Sequence, residues 1–446
     1  MHLSMDSQPV RTAVGVCLIT IACVVAAAGV VAMPLVVVGA IGLVAFVCFC
    51  SLFGTYGIAL AFTVALPWLI IIDEVLPRLV VTVLSAAAAA AILVVASPRH
   101  DWFRRYGMGA ALVLFFLPVI ASAIVQELWG PGLIQAAKYV VFPTMIVAVV
   151  FGSNRDALER LARAALLSGS LALAVNLALG WTGVANLSYY GAGEILGLSS
   201  GHGLALLSGA VVGGGLAAIG RSMYWGVAVA IGCVSAIATG VRSILPGIAI
   251  MLLSALLQRG VRLRVVVLLA GVTVAVAASG VLTVVQERFE FGEERGEFAS
   301  ASSFGSGRGS IYAAALDGWR DDGPLAWILG TGLRTIPDIV AERLGEPFVG
   351  HSDFVEVGVQ LGVVGLAGYL LLWLVLVRGA PSRLPLIALA SLALFNGALE
   401  YTGAVVIAVM LAAATPATTA VRLREQTMPP IPALHGKPAK SGLPVQ

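Results

Sequence analysis

The chain consists largely of apolar stretches of about 17 to 25 residues, separated by short polar breaks. Each stretch is long enough to cross about 30 Å of hydrocarbon as an α-helix. The stretches are continuously apolar and lack the alternation of barrel strands, so only helices can span a membrane here. Hydrophobic residues make up 59% of the chain and charged residues 11%. The sequence therefore predicts an all-α, polytopic membrane protein.

The hydropathy pattern predicts about 12 to 14 transmembrane helices. The candidate stretches lie near 12–31, 34–52, 55–72, 79–97, 107–125, 135–151, 161–180, 201–219, 223–240, 243–258, 265–285, 353–377, 384–400 and 402–420. The first stretch is not followed by a clear small-residue cleavage site, so we expect it to be retained as a helix. Residues 1–424 are thus predicted to form one multispanning membrane domain.

Arginine placement predicts the orientation of the chain, because short cytoplasmic loops are enriched in Lys and Arg. With the N-terminus inside, these arginines fall on the cytoplasmic side: Arg99, Arg104, Arg105, Arg155, Arg160, Arg163, Arg221, Arg259, Arg262, Arg264, Arg378 and Arg383. Both termini are then cytoplasmic. Residues 425–446 are rich in Pro, Gly and Lys and are predicted to be a disordered cytoplasmic tail. The Ala, Gly and Val content is compatible with a GC-rich bacterial source.

The same topology places the longest polar segment, residues 286–352, outside the cytoplasm. A loop of this length is usually functional. The loop is strongly acidic, and Ile311, Ala314, Ala315 and Trp319 recur in it at helical spacing. We therefore expect an extracytoplasmic loop that is partly helical around 310–320.

Two arginines and a histidine lie on this outer side: Arg242 at the outer end of a predicted span, Arg308 in the loop and His351 at its end. The net charge of +3 is too small, and the basic residues too dispersed, to indicate a nucleic-acid partner. A guanidinium offers a planar fork of donors that suits phosphate oxygens, so two arginines can neutralise a diphosphate. An imidazole with an ordinary pKa of about 6.5 can accept a proton from a hydroxyl. This combination predicts transfer of a group from a lipid-linked diphosphate donor to an acceptor hydroxyl, without metal or cofactor.

The segment from Ser306 to Gly365 resembles the core of the O-antigen ligase and polymerase superfamily. The shared features are an arginine opening an amphipathic helix, a Gly-Pro, a Gly-Thr-Gly turn, and a histidine opening a helix with two glycines (Arg308, Gly323-Pro324, Gly330-Thr331-Gly332, His351, Gly362 and Gly365). The resemblance implies a multispanning glycosyltransferase of the bacterial inner (plasma) membrane that acts in polysaccharide biosynthesis for the cell envelope. Its partners would be an undecaprenyl-diphosphate-linked glycan donor, a glycan or lipid acceptor and membrane lipid.

The resemblance also implies roles for individual residues. Arg308 matches the loop arginine, His351 the loop-end histidine, and Arg242 the arginine at the outer end of an earlier helix. His202 occupies a place where relatives often have Asn, and it is expected to contact substrate. Relatives commonly have Asn and an acidic residue where this chain has Ser352 and Gln360, so Glu356 is the candidate for orienting the acceptor or the imidazole.

Other interpretations remain open. Arg308 can be a solvated loop residue, Arg242 a snorkelling residue and His351 a helix cap. Polar residues within predicted spans fit a transporter or lipid-linked glycan flippase instead: Lys138, Asn176, Asn396 and Glu400. That alternative leaves the long acidic loop unexplained. A membrane scaffold would require none of these side chains, and the choice between ligase and polymerase stays open.

Overall fold

The protein is described by a computed structural model. It covers residues 54–72, 76, 78–125, 131–181, 201–222, 224–258, 262–278, 308–348 and 351–414. The predicted spans 12–31 and 34–52 and the tail 425–446 lie outside the described residues. So does the acidic first part of the loop.

The described residues form helices and contain no strand. In chain order the α-helices are α1 Gly54–Ile71, α2 Arg78–Ala96, α3 Met108–Val125, α4 Pro131–Phe151, α5 Arg155–Trp181, α6 Gly201–Ala218, α7 Tyr224–Ala238, α8 Ile244–Leu256, α9 Arg262–Ala278, α10 Arg308–Asp321, α11 Pro324–Leu329, α12 Ile336–Leu344, α13 Asp353–Gly379, α14 Leu384–Phe395 and α15 Thr402–Leu411. Two short 3-10 helices cover Trp102–Gly107 and Ala398–Glu400.

Five described segments are long and apolar enough to cross a membrane: Gly54–Ile71, Trp102–Ser122, Arg155–Gly180, Gly201–Ala218 and Asp353–Gly379. Further apolar helices of 10–17 residues pack among them. The central one of the five is α6, in which every residue from Gly201 to Ala217 is buried. These findings confirm an all-α polytopic membrane protein. The expected total of about 12 to 14 spans stays a prediction.

Most of the arginines predicted to share one side of the membrane lie at one end of the helix bundle. Arg221 forms an ion pair with Glu159 at the start of α5, and Arg264 donates to the carbonyl of Ile219 at 2.6 Å. The backbone N–H of Ser153 donates to the carbonyl of Ala96 at 2.9 Å, which joins the ends of α2 and α4. We call this the arginine end. That it faces the cytoplasm stays a prediction.

The structure corrects the predicted spans 384–400 and 402–420. Helix α14 stops at Phe395 and α15 runs only from Thr402 to Leu411, so the two form a short hairpin of about 18 Å and 15 Å helices. Between them Gly397 adopts a φ of 72°, a left-handed conformation that suits glycine. The hydropathy pattern separated the two spans near residue 401, but it kept Asn396 to Glu400 inside the first span, whereas the helix ends at Phe395. Irregular backbone at this depth is tolerated only where protein or an aqueous cavity surrounds it.

The described part of the loop is folded rather than extended. The helix expected around 310–320 is present as α10, and it packs with α12 against α13 through Ile311, Ala315 and Val340. The Trp319 and Trp327 rings stack with their centroids 4.8 Å apart. The indole N–H of Trp319 also donates to the carbonyl of Ala326 at 2.8 Å. These contacts hold α10 in a fixed place against the membrane helices.

Helix α13 is kinked where the Gly-Thr-Gly turn meets it. Gly362 has a φ of 69° inside the helix, and the N–H of Thr331 donates to the carbonyl of Val359 at 2.9 Å. A Cβ at Gly362 would lie 2.5 Å from the backbone nitrogen of Gly330 and closer still to the carbonyl of Ile328. Gly330 and Gly362, two of the glycines of the resemblance, are therefore points of backbone contact between α11 and α13.

Substitution Gly362→Ala is expected to destabilise the protein strongly. It combines a left-handed φ with a backbone clash that no side-chain movement relieves, a cost on the order of 3 kcal/mol. The midpoint of thermal unfolding in lipid should fall by several degrees. Gly271→Ala in α9 is the matched control, because a Cβ there would contact nothing within 4 Å. An unfolding midpoint for Gly362→Ala equal to that of the control would contradict the close packing of α11 on α13.

Candidate active site

The break between α14 and α15 lies at the end of the bundle opposite to the arginine end. His202 opens α6 there, about 25 Å along the helix from Ala218, which precedes the arginine-end turn. The starts of α10 and α13 meet the same break. The Oγ of Ser352 lies 3.4 Å from the carbonyl of Ala393, and Gly397 lies against Asp353. We call this region the site end.

Arg308 is the first residue of α10, and its side chain reaches over to α14. One guanidinium nitrogen donates to the carbonyl of Phe395, the last residue of α14, at 2.7 Å. The side chain is half-buried, and its charge acts on His202, His351 and Tyr312. Among the described residues this bond anchors Arg308 to α14, and a guanidinium has five N–H donors in a planar fork. Arg308 is thus anchored at the site end, and its binding of an anion stays a prediction.

His351 adopts an unusual backbone conformation immediately before α13. Its φ is 47°, in the left-handed region that costs a residue with a side chain about 1 to 3 kcal/mol unless the surroundings hold it. The hydroxyl of Tyr312 donates to the His351 carbonyl at 2.9 Å. Ser352 then enters α13 in an extended conformation. Non-glycine residues in this region cluster at functional sites, and here the observed strain falls on the proposed base.

The imidazole of His351 is kept neutral by its surroundings. Burial, and after it the Arg308 charge, lower its pKa from the ordinary 6.5 to about 4, although the Glu400 charge acts in the opposite direction. A neutral imidazole at neutral pH has a free lone pair with which to accept a proton. Its environment therefore suits a base better than a cation that binds phosphate.

His202 and the turn that carries Arg242 meet at Asn396. The His202 ring stacks on the Tyr401 ring with centroids 6.0 Å apart, and its side chain interacts with Asn396. The Asn396 amide donates in turn to the hydroxyl of Ser243, the neighbour of Arg242. The Ser391 hydroxyl donates to the Ser243 carbonyl at 2.5 Å. These bonds fix the α7–α8 turn beside the break.

Of the three residues expected on the outer side, Arg308 and His351 lie close to each other, and Arg242 is connected to them only indirectly. His202, Arg308 and His351 act on one another electrostatically. Arg242 is half-buried at the site end, and it is linked to that group through Ser243 and Asn396. The roles of all four in catalysis or binding stay predictions.

A partly buried ion pair lies close to this group. Lys138 of α4 pairs with Glu400 of the 3-10 helix. This ion pair connects α4 to the break. The Asp353 carboxylate accepts from the N–H of Leu399 at 3.1 Å and from the hydroxyl of Tyr369 at 2.9 Å. Paired and hydrogen-bonded charges of this kind can hold irregular backbone inside a membrane protein. Lys138 and Glu400 thus help to fix the break and need no transport pathway to account for them.

Glu356 lies one turn into α13 and is buried. Its carboxylate accepts from the Gln360 amide at 3.3 Å, and the Gln360 carbonyl oxygen accepts from the Tyr139 hydroxyl at 3.1 Å. This row of polar side chains runs along the contact between α13 and α4. A role for Glu356 in orienting the acceptor or the imidazole stays a prediction.

Two groups of residues at the site were not assigned to it from sequence. Tyr312 lies in an amphipathic helix, where nothing distinguishes it from its neighbours. Its bond to the His351 carbonyl, 39 residues away, cannot be recognised from the local sequence. Asn396 and Glu400 were recognised as polar residues within apolar stretches, which is the only sequence feature that indicated a role for them. Without the break, however, nothing indicated that they face His202 and His351.

Residues 227–370 match the family model described as O-antigen ligase. The match includes Arg242, Arg308, His351 and Glu356, and it ends before Asn396 and Glu400. No curated protein matches the chain. The match confirms the resemblance to the O-antigen ligase and polymerase superfamily that the loop motifs carry.

Proposed function

Because residues 227–370 match the O-antigen ligase family model, we propose that this chain transfers a glycan from a polyprenyl-diphosphate carrier to an acceptor hydroxyl. The reaction would take place at the site end, on the extracytoplasmic face of the bacterial inner membrane. The observation that carries the proposal is that one half-buried arginine and one neutral, conformationally constrained histidine meet at a break in the membrane helices. Cation and base are the two groups that the reaction needs.

The proposed step forms one glycosidic bond and breaks one sugar–phosphate bond. His351 accepts the proton of the acceptor hydroxyl as its oxygen attacks the anomeric carbon of the donor. The bond from that carbon to the diphosphate oxygen breaks, and the electron pair leaves with the polyprenyl diphosphate. Attack from the opposite side inverts the anomeric configuration. Arg308 and Arg242 stabilise the charge that develops on the leaving diphosphate, where preorganised electrostatics contribute most. None of these steps calls on a metal ion.

The rate should remain high well below neutral pH. The neutral form of His351 is the active base, and its pKa of about 4 means that protonation removes activity only as the pH falls through about 4. An unperturbed histidine would instead lose activity below about pH 6.5. The measurement is kcat/KM for polyprenyl-diphosphate release between pH 3.5 and 8 in vesicles. A half-maximal rate near pH 6.5 would contradict the neutral, buried base.

A transporter is the alternative from another class, and a panel of variants separates the two. The ion pair Lys138–Glu400 would be its central element, so Lys138→Met should abolish transport while Arg308→Gln leaves it largely intact. The transferase proposal predicts that Arg308→Gln abolishes product formation in a protein that folds normally. Purified variants in vesicles, assayed both for covalent product and for movement of lipid-linked glycan across the bilayer, distinguish these outcomes.

A further inference from the structure

Helix α10 carries two polar side chains that reach the site end from one face. Arg308 and Tyr312 are four residues apart, so they lie above one another on the helix. Arg308 contacts the carbonyl of Phe395 at 2.7 Å, and Tyr312 contacts the carbonyl of His351 at 2.9 Å. The same rigid element thus touches both the end of α14 and the residue proposed as the base.

The backbone at His351 requires an external constraint. A φ of 47° is disfavoured for a residue with a side chain, and such a conformation persists only where neighbouring groups hold it. On its C-terminal side, the first turn of α13 is fixed by the Asp353 carboxylate, which accepts from the Leu399 N–H and the Tyr369 hydroxyl. The Tyr312 hydroxyl holds the His351 carbonyl itself.

From this geometry we infer that Tyr312 is a positioning residue, which holds the imidazole of His351 in register with Arg308 through its hydrogen bond to the His351 carbonyl. The inference rests on the proposed function. It adds that the donor-binding arginine and the acceptor-activating base are aligned by one helix. Tyr312 does not touch the substrate in this account and exchanges no proton with it.

The chemistry of the hydroxyl fits a permanent donor. Burial raises the pKa of Tyr312 above its ordinary 10, and the nearby Arg308 charge offsets only part of that effect. The phenol therefore remains protonated throughout the working pH range. The remainder of α10 is held by Ile311, Ala315 and Trp319 in the cluster with α12 and α13. Removal of the hydroxyl alone should thus leave the helix in place.

The test is Tyr312→Phe, which removes the hydrogen bond and keeps the ring. We expect kcat for polyprenyl-diphosphate release to fall about tenfold, since small misplacement of a reacting group carries a large cost in rate. KM for the donor and the thermal unfolding midpoint should stay unchanged. A freed His351 should also move away from Arg308 and toward solvent, so the acid limb of the pH profile should shift upward from about pH 4 toward 6.5. Tyr224→Phe, at a residue 83% exposed on α7, is the matched control and should behave as wild type.

The outcomes separate this inference from the proposed function. If His351→Ala abolishes turnover but Tyr312→Phe matches wild type in kcat and pH profile, Tyr312 has no positioning role and the proposed function stands. If Tyr312→Phe lowers the unfolding midpoint and leaves the acid limb in place, its role is structural and the inference is overturned. If His351→Ala itself retains full turnover, the proposed function fails.

Discussion

Substitution His351→Ala is expected to reduce polyprenyl-diphosphate release by about a thousandfold, in line with the contribution of a positioned general base. The residue combines a left-handed backbone, a hydrogen bond that fixes its carbonyl, and surroundings that lower the imidazole pKa to about 4. Alanine removes the proton acceptor and leaves the arginines in place. Binding of the donor should therefore persist while turnover is lost. The measurement is single-turnover release from a radiolabelled lipid-linked glycan in vesicles, together with a filter-binding assay for the donor.

The matched control is His100→Ala, at an exposed histidine near the arginine end. It should release product at the wild-type rate. Two results would remove the general-base role: wild-type release by His351→Ala, or equal losses in both histidine variants. Loss of donor binding together with turnover would assign His351 to phosphate recognition instead.

Substitution Arg308→Lys is expected to lower kcat/KM by about a hundredfold, although the charge is retained. One guanidinium nitrogen bonds the Phe395 carbonyl, and in the proposed function the planar donor fork also binds the diphosphate. A lysine ammonium is a point charge without the planar fork, and it cannot make both contacts in the same geometry. The loss should appear mainly in kcat if the contact strengthens as charge develops on the leaving group.

Arg320→Lys is the corresponding control, because Arg320 is exposed in the last turn of the same helix α10. Its kinetics should match wild type. Full activity in Arg308→Lys would show that charge alone is required there. If Arg308→Lys lowers the thermal unfolding midpoint as well as the rate, Arg308 mainly anchors α10 to α14.

The fold class and helix α10 could be predicted from sequence because both depend on local pattern. Continuous apolar stretches dictate transmembrane helices, and the spacing of Ile311, Ala315 and Trp319 dictates one amphipathic face. The break at Asn396 to Tyr401 could not be predicted in the same way. The predicted spans had a boundary near residue 401 but kept Asn396 to Glu400 in a helix. The groups that stabilise the irregular backbone come from residues more than forty positions away, such as Asp353 and Lys138.

The candidate site likewise contains residues that the sequence indicated and one that it did not. Arg308 and His351 stood out because charged and titratable residues beside a membrane are costly and few. Their electrostatic contact follows from topology, since both adjoin the same side of neighbouring helices. Tyr312 carried no such signal, because its role depends on a single bond to a distant carbonyl and on the φ of His351. Backbone strain is a property of the folded chain and has no pattern in the sequence.

The measurement that tests the central claim most directly is the stoichiometry of glycan transfer by the purified protein in lipid vesicles. A donor with a radiolabel in the polyprenyl diphosphate and a fluorophore in the glycan allows carrier release and covalent product to be counted together. The proposed function predicts one released polyprenyl diphosphate for each new glycosidic bond, only in the presence of an acceptor hydroxyl. Movement of intact donor across the bilayer, with no release and no product, would contradict glycosyl transfer and establish the transporter.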